Sequence, residues 1–281
     1  MTGSEQKKES SGRIPCGLQI AGFSITRIIL WLIAITIVSF VLGFAILALS
    51  GGLPVESGQK MSPFRNSVFM APNTTPIALD GAGYGDVQIT MGAGEFTLQG
   101  GAPSDSLMVA TVFSKAPEWQ PDYTVSVNGT QKTVVMMDKG HNAREWVAVH
   151  SPNNWEVQLN EDVPLDLKVS VGAGDSRLIL GAVTLTSLSV NNGAGDTEID
   201  LGGYHGGPFM AEIHHGVGDL TLRVPSNSNT RISTHQGVGS IDNSGFAQYE
   251  NTFTTVGYTP ALPVNEILIE QGVGEISFVA V

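Results

Sequence analysis

The 281-residue chain is poor in the groups that carry covalent and metal chemistry. It has one cysteine, Cys16. It contains no His-Glu-x-x-His, no Gly-x-Ser-x-Gly elbow and no second thiol, so zinc hydrolysis, serine-type acyl transfer and a disulfide framework find no residues to use. Ser57-Gly58-Gln59-Lys60 matches Ser-x-x-Lys but stands in a Gly/Pro/Ser-rich stretch with no supporting motif after it. Positive charge is scarce too, with 14 Lys and Arg against 26 Asp and Glu and a net charge of −12. Such acidity opposes nucleic acid and anionic lipid as partners and tolerates cations. No amphipathic helical pattern of any length follows residue 76.

The one long apolar run is Ile28 to Leu49, 22 residues without a charge. At about 1.5 Å per residue it spans roughly 33 Å, enough for a hydrocarbon core of about 30 Å. Its length exceeds an ordinary signal-peptide core and predicts an uncleaved anchor. Lys7, Lys8, Arg13 and Arg27 precede it, whereas only Lys60 and Arg65 follow closely. That bias places the amino end in the cytoplasm and the rest outside. Composition then divides the chain into a polar tail (1–27), the anchor (28–50), a Gly/Pro/Ser/Asn-rich tether (51–76) and an outer domain (77–281). Beyond residue 50 the chain has ten Lys and Arg against 24 Asp and Glu, a balance of −14. With Cys16 on the cytoplasmic side, the outer domain must be held by its own core. Ser39 and Gly43, four apart in the anchor, read as ordinary small-residue usage before a helix-packing motif.

What the chain has in abundance is a glycine signal. Five copies read Gly-(Ala/Val)-Gly-(Asp/Glu), beginning at Gly92, Gly172, Gly193, Gly216 and Gly272, and two variants begin at Gly83 and Gly237. From Gly172 onward, first glycines are 21, 23, 21 and 35 residues apart. Runs alternating apolar and polar at period two flank the copies, such as Leu167 to Val171 before one and Leu178 and Leu180 after it. No copy opens a helix, so a phosphate-binding loop is excluded. A period in the twenties with strands on both sides of a glycine corner predicts an all-β fold, a β-solenoid of the single-stranded β-helix type. Positive φ at the corner is the expected reason for glycine. The first half, from 107 to 159, is β-rich but lacks the signal, and 244–262 reads as an excursion that lengthens the last interval.

Stacked coils would align Asp175, Asp196, Asp219, Ser240 and Glu275 along one edge. Turn chemistry explains that row better than calcium, because Ser240 interrupts it and one carboxylate per coil is a sparse ligand supply. His214 and His235 each stand two residues before a signal, so they are expected as neighbours on adjacent coils, with His215 facing the other way. With Glu212 or Glu270 such a pair could hold a metal or sense acid pH; a polar surface row is favoured. Trp119, Trp146 and Trp155 are expected in the core before a sugar-binding face. Arg177, Arg223 and Arg231 are scattered. No catalytic, cofactor-binding or metal residue is therefore assigned, and no cofactor is expected.

The series Pro117 to Pro121, Trp155-Glu156-Val157-Gln158-Leu159-Asn160 and Val163-Pro164-Leu165-Asp166-Leu167, followed by the signals at Gly172 and Gly193, resembles the bacterial toast-rack domain family. That family is similar to the carboxyl-terminal domain of LiaF-type cell-wall-antibiotic response proteins and to putative adhesin β-solenoids. The resemblance, over 77–281, implies a β-solenoid in the cell envelope and supplies no catalytic residues. Three functions follow as expectations. The first is a membrane-anchored, non-catalytic envelope module that binds or scaffolds envelope proteins or cell-surface polymer, in stress response. The second is an adhesin-like surface protein, and the third a polysaccharide-acting β-helix enzyme. Clustered Asp and Arg would favour the enzyme.

Overall fold

The structure is a computed structural model that describes residues 72–114, 119–139 and 153–281. All of these fall within one compact unit, Asn66–Val281. The tail, the anchor, nearly all of the tether, Cys16, Ser39, Gly43, Ser57 to Lys60 and Trp146 lie outside the described residues. Among the described residues no helix is long and apolar enough to cross a membrane.

The described residues form an all-β domain of two sheets. One sheet takes the longer strands β2 (Tyr84–Ala93), β8 (Leu165–Ala173), β10 (Leu185–Ala194), β12 (Met210–Val217), β14 (Thr230–Val238) and β18 (Asn265–Val273). Each turns through one glycine signal into a shorter strand of the other sheet: β3 (Glu95–Gly100), β9 (Ser176–Ile179), β11 (Thr197–Asp200), β13 (Leu220–Val224), β15 (Ile241–Ser244) and β19 (Ile276–Ala280). Six coils thus stack, parallel in both sheets and in register, so Val169, Val190, Ile213, Ile269 and Thr234 form one inward column. The period-two alternation does the sorting. Leu167, Val169, Leu188, Val190, Ile213 and Ile267 face inward from one sheet, and Leu178, Ile199, Leu222, Ile276 and Phe278 meet them from the other. Each such side chain contributes about 1.5–3 kcal/mol by leaving water.

Three expectations are corrected. Gly83-Tyr84-Gly85-Asp86 is no corner: neither glycine has positive φ, Tyr84 opens β2, and a Cβ on Gly85 would run into Leu165 and Leu107. Six of the seven signals are corners. Stacking order also departs from chain order, because β18 and β19, latest in sequence, lie between β12/β13 and β14/β15. Finally, the first half is not merely irregular. β1 (Asn73–Ala78), β4 (Ser106–Phe113) and β7 (Asn154–Leu159) continue one sheet, and β5 (Asp122–Asn128) with β6 (Gln131–Met137) continue the other. β1, β4 and β5 run antiparallel to their neighbours and so close that end of the stack. The excursion at 244–262 contains the hairpin of β16 (Phe246–Tyr249) and β17 (Thr252–Thr255), whose β17 pairs antiparallel with β14 at the opposite end.

Trp155 is fully buried and Trp119 nearly so, as core residues. The Trp155 indole N–H donates to Asn153 Oδ1 at 2.9 Å, which removes the penalty of an unpaired buried donor. Lys132, also buried, donates to the Ala78 carbonyl at 2.6 Å and pairs with Asp80 at 2.5 Å, fastening the turn after β1.

Candidate functional site

The corner is where the sequence is most regular, and two geometric demands account for its glycines. Only the second glycine has positive φ, for example 121° at Gly195 and 133° at Gly218. The first is required by close approach: a Cβ on Gly193 would collide with the Gly172 carbonyl of the coil beneath. Backbone pairing continues through the bend, with the Gly195 N–H bonded to the Val217 carbonyl at 2.9 Å and Gly218 N–H to Val273 at 3.0 Å.

The aspartate after three of the corners bonds to the next coil. Asp175 Oδ1 accepts from the Asp196 N–H, Asp196 Oδ1 from the Asp219 N–H, and Asp219 Oδ1 from the Glu275 N–H, each at 3.0 Å. Each aspartate thus caps a backbone amide, as the turn reading expects of an acidic side chain, but the amide belongs to the next coil, and the expected break is not where the sequence put it. Because the last coil in sequence is inserted, Glu275 follows Asp219 and Ser240 terminates the row. Among the described residues no group of three or more His, Cys, Asp or Glu is arranged to hold a metal ion.

A second row, inside the corner, went unnoticed in the sequence. Asn192, His215, Gln271 and Gln236 occupy the position just before the first glycine on four neighbouring coils. Each donates to the second-glycine carbonyl of the coil beneath: Asn192 Nδ2 to Gly174 at 3.3 Å, His215 Nε2 to Gly195 at 2.8 Å, Gln271 Nε2 to Gly218 at 2.7 Å and Gln236 Nε2 to Gly274 at 2.8 Å. His215 is buried, opposite in direction to half-buried His214, as the alternation requires. The signal that could have revealed this row is a polar residue at an inward position immediately before each corner.

Outside the same sheet, His214 and His235 are not neighbours. Glu270 stands between them, in register with both. His214 bridges two carboxylates, Nε2 to Glu212 at 3.0 Å and Nδ1 to Glu270 at 3.2 Å. An open depression of about 630 Å³ lies over His214, Glu270 and His235 and the corner glycines.

On the other sheet the arginines prove less scattered than expected. Arg177 and Arg223 meet across Glu198, at 3.3 and 3.2 Å, beside the Asp175, Asp196 and Asp219 row. Arg231 is apart, paired with Glu266 at 2.9 Å. Asp and Arg do cluster here, but Glu198 is shared by two guanidinium groups and each of the three aspartates gives one oxygen to a backbone amide. Three tyrosines have pKa values displaced upward: Tyr84 is pushed up to about 12 by burial and the neighbouring Asp166, and burial raises Tyr123 and Tyr204.

Comparison with known families agrees with this geometry. Residues 69–223 match the family model described as the N-terminal domain of toast_rack, DUF2154. The chain belongs to the toast-rack family. The match covers β1 through most of β13, so the strands from β14 onward lie beyond it, and the expected resemblance over 77–281 is longer than the matched span. Among solved structures, this toast-rack chain is similar to a putative cell adhesion protein from Clostridium sporogenes, at 24% identity and a TM-score of 0.69, over 75% of this chain and 99% of that one. That likeness shows a shared fold. A putative adhesin from Bacteroides fragilis matches at 12% identity and a TM-score of 0.32, over 76% and 98% of the two chains. A search of curated proteins finds no match.

Proposed function

We propose that this toast-rack protein is a non-catalytic envelope protein, anchored in the cell membrane through Ile28 to Leu49 with its carboxyl-terminal domain outside, and that its outer sheet faces act as a binding or scaffold surface in envelope stress response. One observation carries the non-catalytic reading. The acidic groups that cluster with arginine on this scaffold are already engaged: Asp175, Asp196 and Asp219 each hold the next coil, and Glu198 holds Arg177 and Arg223. General acid–base chemistry on a sugar needs two carboxyl groups free to face the bond from either side. The partners in this reading are other envelope proteins or a cell-surface polymer, recognised by flat rows of side chains and not by a cleft.

A second reading is adhesion. It is favoured by the fold shared with the putative cell adhesion protein from Clostridium sporogenes. Photocrosslinkers at outward positions of the full chain in living cells, such as Ser189 on one sheet and Thr221 on the other, separate the readings. Capture of one envelope partner from one face supports the module, and capture only upon contact with other cells or matrix supports adhesion. Release of reducing ends from envelope polysaccharide by the purified protein, lost in Glu198→Gln, overturns both.

A further inference from the structure

The inserted coil forms an interlock. β18 and β19 are paired on both sides, Ile267 with Ala211 and Ile232, and Ile276 with Leu220 and Ile241. Chain earlier in sequence therefore builds both walls of a slot one coil wide. Within it Ile267, Ile269, Ile276 and Phe278 complete the core, and the Phe278 ring meets Phe253 edge-on at 4.9 Å and Phe246 at 6.1 Å. All of these contacts would be reproduced by the same coil of another copy.

Among the described residues, the coil joins the rest through one connection, residues 256–264, mostly exposed and containing Pro260 and Pro263. Asn229 holds that connection. The two hydrogens of its Nδ2 serve the carbonyls of Thr259, Leu262 and Pro263, at 3.0, 3.4 and 3.0 Å, one of them shared between two carbonyls, and its Oδ1 accepts from the Thr259 N–H at 2.8 Å. These side-chain contacts lie outside the slot, so they can be broken without touching the coil's own pairing.

We propose that the slot between β12/β13 and β14/β15 accepts the coil of a second copy of this chain, with Asn229 as the clasp that keeps each coil in its own slot. Exchange replaces contacts with identical contacts, so the balance turns on the connection and on the local concentration of copies, not on a new interface. Reciprocal exchange closes a dimer, and one-way donation from copy to copy gives a file. The inference is independent of the ligand-binding reading above.

The test uses the full chain with Cys16→Ser, in the membrane. Ser233 and Leu268 are register partners on β14 and β18, both outward, so cysteines there fall within the Cα separation a disulfide accepts, about 4.4–6.8 Å. Two differently tagged chains, one with Ser233→Cys and one with Leu268→Cys, are co-expressed. A chain carrying both cysteines closes internally and calibrates the yield. Exchange predicts a covalent heterodimer well above that of a control pair, Ser233→Cys with Thr97→Cys, rising several-fold when Asn229→Ala is added to both chains. Heterodimer at the control level with Asn229 intact and with Asn229→Ala overturns the proposal. Heterodimer above control that ignores Asn229→Ala supports the slot and overturns the clasp.

Discussion

The middle coils and the amino-terminal end of the stack obey the same alternation of inward and outward residues but solve different problems. From β8 to β13 the chain wraps at constant pitch, every coil offers its neighbours the same edge, and the corner sequence repeats because the same two glycines meet the same carbonyls. From β1 to β7 the stack has to end. An exposed parallel edge would offer the next coil its own pairing, whereas β1, β4 and β5 run antiparallel and break the coil pattern, and the terminal β1 carries Pro76 and a bulge between Ile77 and Ala78 that blunt its edge. Repetition thus marks where a coil has coils on both sides, and its loss marks where the solenoid is closed.

The contrast can be broken at several points. The largest effect is expected at Trp155→Ala in the amino-terminal end, about 3–5 kcal/mol, because a fully buried indole leaves a cavity and Asn153 loses its donor. Chemical denaturation measures it, and a loss under about 1 kcal/mol would mean that this end is not packed as described. Two glycines with positive φ sharpen the comparison. Gly195→Val adds a backbone collision with Gly174 to the conformational strain and should cost about 3 kcal/mol, whereas Gly129→Val, with φ of 62° and open space around it, should cost about 1 kcal/mol. Equal losses would show that torsion alone requires the corner glycines.

Smaller effects probe the acidic row. Asp196→Ala removes the acceptor for the Asp219 N–H and should lower stability by about 1 kcal/mol, and Asp196→Asn, which keeps an acceptor oxygen, should lower it less. Millimolar calcium should leave the melting temperature unchanged, whereas a specific site at 100 times its dissociation constant would add about 2.7 kcal/mol. A calcium-dependent rise abolished by Asp196→Asn would make the row an ion site.

The smallest effect is alkaline. Tyr84, Tyr123 and Tyr204 are harder to ionise in the folded domain than in the unfolded chain, whose tyrosines titrate near 10. Their contribution is complete below about pH 10 and is lost as pH rises through the folded values, near 12 for Tyr84. The unfolding midpoint should therefore fall between pH 10 and 12. A midpoint that stays level across that range would mean that these hydroxyls are solvated alike in both states.

Much of the corner was legible because its causes are local. A glycine pair between alternating runs bends the chain at six of the seven copies, whereas Asp175, Asp196 and Asp219 bond to amides of neighbouring coils that the local sequence does not name. Gly83 misled because its neighbours copy the motif while Leu165 and Leu107, distant in sequence, demand the small residue at Gly85. His214 and His235 misled for a related reason. Sequence spacing counts coils in the order they are made, and the intervening Glu270 comes from a coil made later. The inner row of Asn192, His215, Gln271 and Gln236 was unread because its acceptors, the carbonyls of Gly174, Gly195, Gly218 and Gly274, belong to other coils.

By itself the sequence determined the class of fold, the positions of the bends and the face each side chain would take, since period two and glycine geometry act within a few residues. The tertiary structure alone decided which coil lies on which, where the stack stops and which polar groups share a row. Parallel coils with the same corner present nearly interchangeable edges, so their order is settled by long-range closure: the antiparallel strands at one end, the β16/β17 hairpin at the other, and the aromatic contacts of Phe278 that seat the last coil between two earlier ones.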